Sequence, residues 1–213
     1  IIYIAGHARK INCFPENFGT PAVMAYAYDQ NPMVPAVLPD DETSAYQMTR
    51  YLIRKGHKKI ALLAGREDNL HTRRRLKGYQ NALFDAQILY NPRLVRYVDW
   101  NKPSGYQETK SLLKEDITAI FCMSDMIAGG VYQYLDEQGL RAGRDVSVVG
   151  FDNHVLSEYM IPGLTTMALP LKEIGTTSAK LLFDQIEKGE VEMNREILIP
   201  CFLVERCSVK EIK

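Results

Sequence analysis

Four times in this chain an apolar run stops at a glycine or a polar turn. Lys59–Ala64 ends at Gly65, Leu94–Val98 at Asp99, Ala119–Met123 at Ser124 and Val146–Phe151 at Asp152. Helical patterns of ordinary length separate these runs. That alternation predicts βαβ units and a parallel sheet, because parallel neighbours need a crossover connection. In such a sheet the strand ends share one edge, so residues distant in sequence converge on one crevice.

The flanking segments follow from the same reading. Asp40 or Asp41 caps a helix reaching Lys55, with Ala45, Met48 and Leu52 on one face and Gly56 as its stop. Further helices are predicted over Thr72–Ala86, over Gly105–Lys114 with Ser104 as cap, and over Asp125–Gln138. Leu171–Lys188 reads as a helix with Ile174, Leu181, Leu182 and Ile186 on one face. Ile1–Ala5 and Ala22–Tyr26 read as short strands, and Leu164–Met167 as an extended segment. Ile197–Val204 reads as one late strand, broken by Pro200 and therefore at a sheet edge. Residues 40–166 thus supply a complete layer, whereas 1–38 supply two short strands, a poor independent core. The imbalance implies further βα units upstream or, alternatively, a small lobe leaning on the large one.

Composition narrows the function classes. The chain has 213 residues, no net charge and 46% hydrophobic residues, which fits one or two globular domains. Balanced charge gives no nucleic-acid footprint on this portion by itself. No apolar run approaches the roughly 20 residues that span a bilayer. Cys13, Cys122, Cys201 and Cys207 show neither Cys-x-x-Cys spacing nor zinc-type His pairing. Free thiols fit a reducing, cytoplasmic compartment. Nucleophile-elbow, phosphate-loop, dinucleotide and zinc-protease motifs are all missing, so no metal and no cofactor is expected and an enzyme is disfavoured.

The strand ends supply the candidate site. After the first run come His71, Arg73, Arg74 and Arg75 at a helix opening, where free N–H groups favour anions or hydroxyl-rich ligands. Arg73 and Arg74 suit a solvated face; Arg75, ahead of Leu76 and Gly78, turns inward. His71 fits either a surface loop or a ligand contact. Trp100, the single tryptophan, suits stacking on a sugar or base, or simple core packing. Ser124 and Asp125 open the next helix; Asp125 is expected mainly to cap it, and Ser124 to serve both helix and crevice. Asp152 ends a buried strand and needs donors. An Arg75–Asp152 pair, bridged by ligand hydroxyls or closed directly, would provide them.

These segments, in this order, resemble the effector-binding core of the lactose/galactose-repressor family of bacterial transcriptional regulators. The matching stretches are Gly56–Gly65, Arg75–Tyr79, Ser104–Tyr106, Ser124–Gly130, Asp145–Asn153, Pro162–Thr166, Glu173–Gly175 and Leu203–Ser208. The resemblance implies an α/β fold of two Rossmann-like parallel-sheet subdomains joined by crossover strands, periplasmic-binding-protein-like. The N-terminal subdomain would comprise 1–38 plus 169–191 and be incomplete here; the C-terminal one would comprise 39–168 plus 192–213. A DNA-binding helix-turn-helix would precede both, outside this chain. By the same resemblance Arg75 and Asp152 match the family's effector-contacting arginine and aspartate, and Trp100 an aromatic ring against the ligand. Ser124 stands where sugar-binding members often carry Asn, and Tyr26 near a position acidic in some sugar-responsive members.

The chain is therefore expected to be the effector-sensing and dimerisation core of a transcriptional repressor. Its ligand-binding residues would be Arg75, Asp152, Trp100, Ser124, His71 and Tyr26, in the cleft between the subdomains. The effector would be a sugar first, with a sugar phosphate, a purine or a partner protein in place of a small molecule as alternatives. The partners implied are operator DNA, through the missing domain, and a second copy of the chain, through helices 105–114 and 125–138; no membrane is implied. The rival readings are a periplasmic sugar-binding receptor for transport and a small-molecule enzyme using the Arg75, Asp152 and His71 cluster.

Overall fold

The computed structural model describes residues 1–5, 10–15, 17–189 and 195–212. In chain order the first strands are β1 (Ile2–Ile4), β2 (Lys10–Ile11), β3 (Val23–Ala25), β4 (Tyr28–Asp29) and β5 (Ala36–Pro39). There follow α1 (Asp41–Arg54), β6 (Ile60–Ala64), α2 (Leu70–Asp85), β7 (Val95–Tyr97), α3 (Lys102–Leu112), β8 (Ala119–Cys122) and α4 (Asp125–Glu137). The chain closes with β9 (Ser147–Asp152), α5 (Leu156–Tyr159), β10 (Thr165–Ala168), α6 (Leu171–Lys188), β11 (Glu196–Ile199) and β12 (Phe202–Val204). Two compact units result, Ile1–Asp40 with Pro170–Cys201, and Asp41–Leu169 with Phe202–Lys213.

The first unit is a four-stranded sheet in the order β1-β3-β5-β11, with every pair parallel. Its core gathers Val23, Ala25, Val37, Ile174 and Leu181. Helix α6 ends at Gly189 in the left-handed conformation, φ 67°. Three sequence expectations are corrected here. Strand β5 was not foreseen, because Pro35 and Pro39 bracket it and read as loop, yet all four of its residues are buried. The single strand expected over Ile197–Val204 is two: β11 pairs with β5 in this unit and β12 with β10 in the other. Residues 195–201 therefore belong with the first unit and not the second, while the boundary expected at 191–192 lies outside the described residues. Finally, the buried face of α6 runs through Ile174, Ser178, Leu181 and Gln185, and Ile186 is 62% exposed. The polar Ser178 and Gln185 complete the 3-and-4 spacing, and Gln185 earns burial by bonding both backbone groups of Ala22.

The second unit holds a six-stranded sheet, β12-β10-β9-β8-β6-β7. All pairs are parallel except the edge strand β12, antiparallel to β10. Strands β6 and β8 are buried along their whole length, as expected of parallel strands covered on both faces. Helices α1 and α2 cross closely at Gly78, where an added Cβ would fall 2.1 Å from the carbonyl oxygen of Glu42. Asn101, not Ser104, caps α3, accepting from the Ser104 amide at 3.0 Å, and Pro103 sits at the helix start. The chain leaves β6 towards β7 on one side and β8 towards β9 on the other. The topological switch point thus lies between the ends of β6 and β8.

His57 ties the C-terminal tail to this layer. It is fully buried, with Nε2 3.0 Å from the Lys210 carbonyl and Nδ1 2.9 Å from Thr118 Oγ1. A carbonyl only accepts, so Nε2 carries the proton and the neutral ring accepts from the threonine. Burial lowers the pKa of His57 from 6.5, more than the bond to Lys210 raises it. The unfolded chain then binds the proton more readily, so this contribution is complete above pH 6.5 and is lost as the pH falls through the lower folded value. In chemical denaturation at graded pH, wild type should lose stability between neutral and mildly acidic pH. His57→Ala should start about 2–3 kcal/mol lower and show a shallower decline over that interval.

Candidate functional site

The switch point is occupied by charge. Arg75, on α2 after β6, is 1% exposed and donates from Nη1 to the carbonyl of Met123 at 2.5 Å, at the end of β8. Its Nε donates to Asp41 Oδ1 at 2.7 Å. The other oxygen of Asp41 lies 2.5 Å from His71 Nδ1. Asp41 is itself 1% exposed, so a carboxylate and a guanidinium share one dry position. Burial alone would raise the pKa of Asp41, but Arg75 and His71 outweigh it and hold the group below the usual carboxylate range. The guanidinium carbon stands 3.5 Å from the centre of the Phe151 ring and 6.0 Å from that of Trp100. Such stacking over a desolvated ring is worth about 2 kcal/mol.

Asp152 stands on the next strand end. Its Oδ1 is 3.9 Å from Arg75 Nη1, and its Oδ2 accepts from Ser124 Oγ at 2.9 Å. Its side chain keeps 28% of its surface open, against 2% for Arg75 and 1% for Asp41. Burial raises its pKa even though Arg75 and Ser124 pull the other way. Asp152 and Asn153 both hold positive φ, 119° and 54°, a strained choice for two successive non-glycine residues. Fixed partners sustain it: Ser124 on Asp152, and Arg206 Nη2 donating to Asn153 Oδ1 at 2.9 Å.

Ser124 serves both ends, as expected, since its Oγ also accepts from the Met126 amide at 3.2 Å. Asp125 does not cap α4. Its carboxylate accepts from Thr166 Oγ1 at 2.6 Å and from the His154 amide at 2.7 Å. Burial pushes it up to about 7, opposed by the Thr166 bond and assisted by the charge of Asp152. It thus joins α4 to β10 and to the loop after β9.

Trp100 is half-buried, and an added Cβ at Gly65 would fall 1.9 Å from its Cζ2, so the indole lies flat on that backbone. A depression of about 620 Å³ opens at the ends of β6 and β7, lined by Arg66, Glu67, Asp68, Tyr97, Val98 and Asp99.

Five of the six expected residues, Arg75, Asp152, Ser124, His71 and Trp100, therefore gather at adjoining strand ends of the second unit. Tyr26 belongs to the first unit, where it packs against the core with φ 60° and donates its amide to Val37 at 2.9 Å. The direct Arg75–Asp152 pair is the looser one, and Asp41 is the main partner of Arg75. Sequence reasoning missed Asp41 because an aspartate in a first helical turn reads as a cap. The sequence marks Phe151 only as strand, although an aromatic ring one residue before a strand end, beside an inward arginine, is a natural stacking partner.

The arrangement offers a rigid planar cation, a partly open carboxylate, a hydroxyl and an aromatic face. Together these can take hydroxyl groups and an apolar ring face.

Residues 49–209 match the family of the Periplasmic binding protein-like domain. The chain is 34% identical over 194 residues to the HTH-type transcriptional repressor CytR of Escherichia coli, covering 90% of this chain and 57% of that protein. It is 34% identical over 179 residues to the ribose operon repressor of Haemophilus influenzae, covering 83% of this chain and 54% of that protein. It therefore spans little more than half the length of these relatives. Among solved structures, a LacI family transcriptional regulator from Enterococcus faecium with bound ribose aligns at a TM-score of 0.82 and 34% identity. That alignment covers 91% of this chain and 72% of the neighbour.

Replacing Arg75 tests the packing of the site. Arg75→Met keeps the bulk but leaves Asp41 buried without its main counter-charge. It should cost about 3–5 kcal/mol in urea denaturation, whereas the more open Asp152→Asn should cost less than about 1 kcal/mol.

Proposed function

The chain belongs to the LacI family of transcriptional regulators, and from that premise we propose that it is the ligand-sensing core of a repressor. The observation that carries this is the cluster over the switch point: a pre-set Arg75, an accessible Asp152, the Ser124 hydroxyl and the Trp100 ring. Asp152 accepts from ligand hydroxyls, Arg75 donates to ligand oxygens, and Trp100 offers its face to a sugar or base ring. Sugars are the first candidates, in keeping with the ribose held by the Enterococcus neighbour. His71 and Tyr26 are proposed as further contacts.

Ligand binding would shift the chain towards one arrangement and so change operator binding by a DNA-reading domain of the whole protein. A palindromic operator calls for a homodimer, and helices α3 and α4 are the face we propose for it. No helix among the described residues is long and apolar enough to cross a membrane. Four free thiols suit a reducing cytoplasm better than a periplasmic transport role. The chain is proposed to bind its ligand without turning it over.

Thermal melting of the full chain against sugars, sugar phosphates and purines tests this. One class should stabilise the protein by about 2.7 kcal/mol at 100 times its dissociation constant. Asp152→Asn should reduce that gain while leaving the unliganded melt nearly unchanged. A panel without any shift overturns the small-molecule reading.

A further inference from the structure

The charges around the strand ends do more than hold a ligand; they decide which ligands are refused. Arg75 is the natural anion receptor of this site, but Asp41 takes its Nε at 2.7 Å from the buried side. With Asp152 at 3.9 Å, the guanidinium faces two carboxylates. His71 adds a cation only if its ring is doubly protonated, and its Nδ1 proton is already committed to Asp41 at 2.5 Å. The core cluster is thus net negative with a neutral imidazole and uncharged with a protonated one. In neither state is there a surplus positive charge.

The rim points the same way. The depression beside the cluster carries Arg66 against Glu67, Asp68 and Asp99, and Arg66 is paired with Asp68 at 3.3 Å. The rim thus sets one arginine against three carboxylates, and the cluster sets Arg75 against Asp41 and Asp152. Arg206, behind Asn153, is held by the Leu164 carbonyl at 2.7 Å and by Glu158 at 3.4 Å. A phosphate dianion brought to these strand ends meets more carboxylates than arginines, and like charges at close range exclude a partner.

We propose that Asp41 is the specificity-determining residue of this site: by balancing Arg75 from beneath, it restricts the site to uncharged, hydroxyl-rich ligands and excludes phosphorylated ones. This rests on the ligand-sensing reading above. It also gives Asp41 a role beyond folding, because its carboxylate fixes both the plane of Arg75 and the protonated nitrogen of His71.

The test uses the full chain and inorganic phosphate as probe, read by thermal melting at low and high salt. Wild type should show no phosphate-dependent shift. Asp41→Asn, which keeps the shape and one hydrogen-bond acceptor, should gain a shift that high salt abolishes. Alongside, whichever free sugar stabilises wild type is compared with its phosphate ester, ribose and ribose 5-phosphate being the first pair. The ester should bind at least about tenfold more weakly. A phosphate shift in wild type, an ester that binds as well as its parent sugar, or a folded Asp41→Asn without phosphate response each overturns the proposal. Should Asp41→Asn fail to fold, the sugar and ester comparison on wild type decides. Should no sugar, sugar phosphate or purine shift the melt, the sensor reading fails, and the phosphate titrations still judge the charge argument.

Discussion

The second unit depends on one dry ion pair. Asp41 and Arg75 are each 1% exposed, and they connect the first turn of α1 to α2 and, through Met123, to the end of β8. An ion pair at such depth gives back little net stability, since desolvation consumes most of the attraction. Its value is geometric. Breaking it strands a charge, so only one arrangement of α1, α2 and β8 satisfies both partners. That arrangement sets the guanidinium on Phe151, beside the carboxylate of Asp152, at the point where the strand order reverses.

Around that pair the ends of three strands behave as a connected polar layer. Ser124 joins α4 to Asp152, Asp125 joins α4 to Thr166 on β10, and Arg206 secures Asn153. Two consecutive residues in left-handed backbone are held by these bonds. A site assembled this way holds its donors and acceptors in place before a ligand arrives, which lowers the ordering cost of binding. The exposed share of Asp152, 28%, is what remains for an incoming hydroxyl.

Much of this was legible from residue order. β6, β8 and β9 are continuous apolar runs with polar stops, and their ends named Arg75, Ser124 and Asp152 directly. Two things were hidden by local chemistry. Proline at both ends of β5 disguised a fully buried strand, and with it the fact that Asp41 follows a strand end like the other site residues. Pro200 suggested one interrupted strand where the chain passes from β11 in one unit to β12 in the other. Hydrophobic periodicity also misassigned α6, since Ser178 and Gln185, not Ile186, fill its inner face. Tyr26 was drawn in by family likeness alone, and its surroundings in the first unit give it a packing role of its own.

A crystal structure of the full chain with a stabilising ligand bound would test the central claim most directly. The account predicts ligand hydroxyls on the Asp152 carboxylate and the Arg75 guanidinium, with the bonds from Asp41 to Arg75 and His71 unchanged. A ligand seated without touching either residue, or one that draws Arg75 away from Asp41, would contradict it.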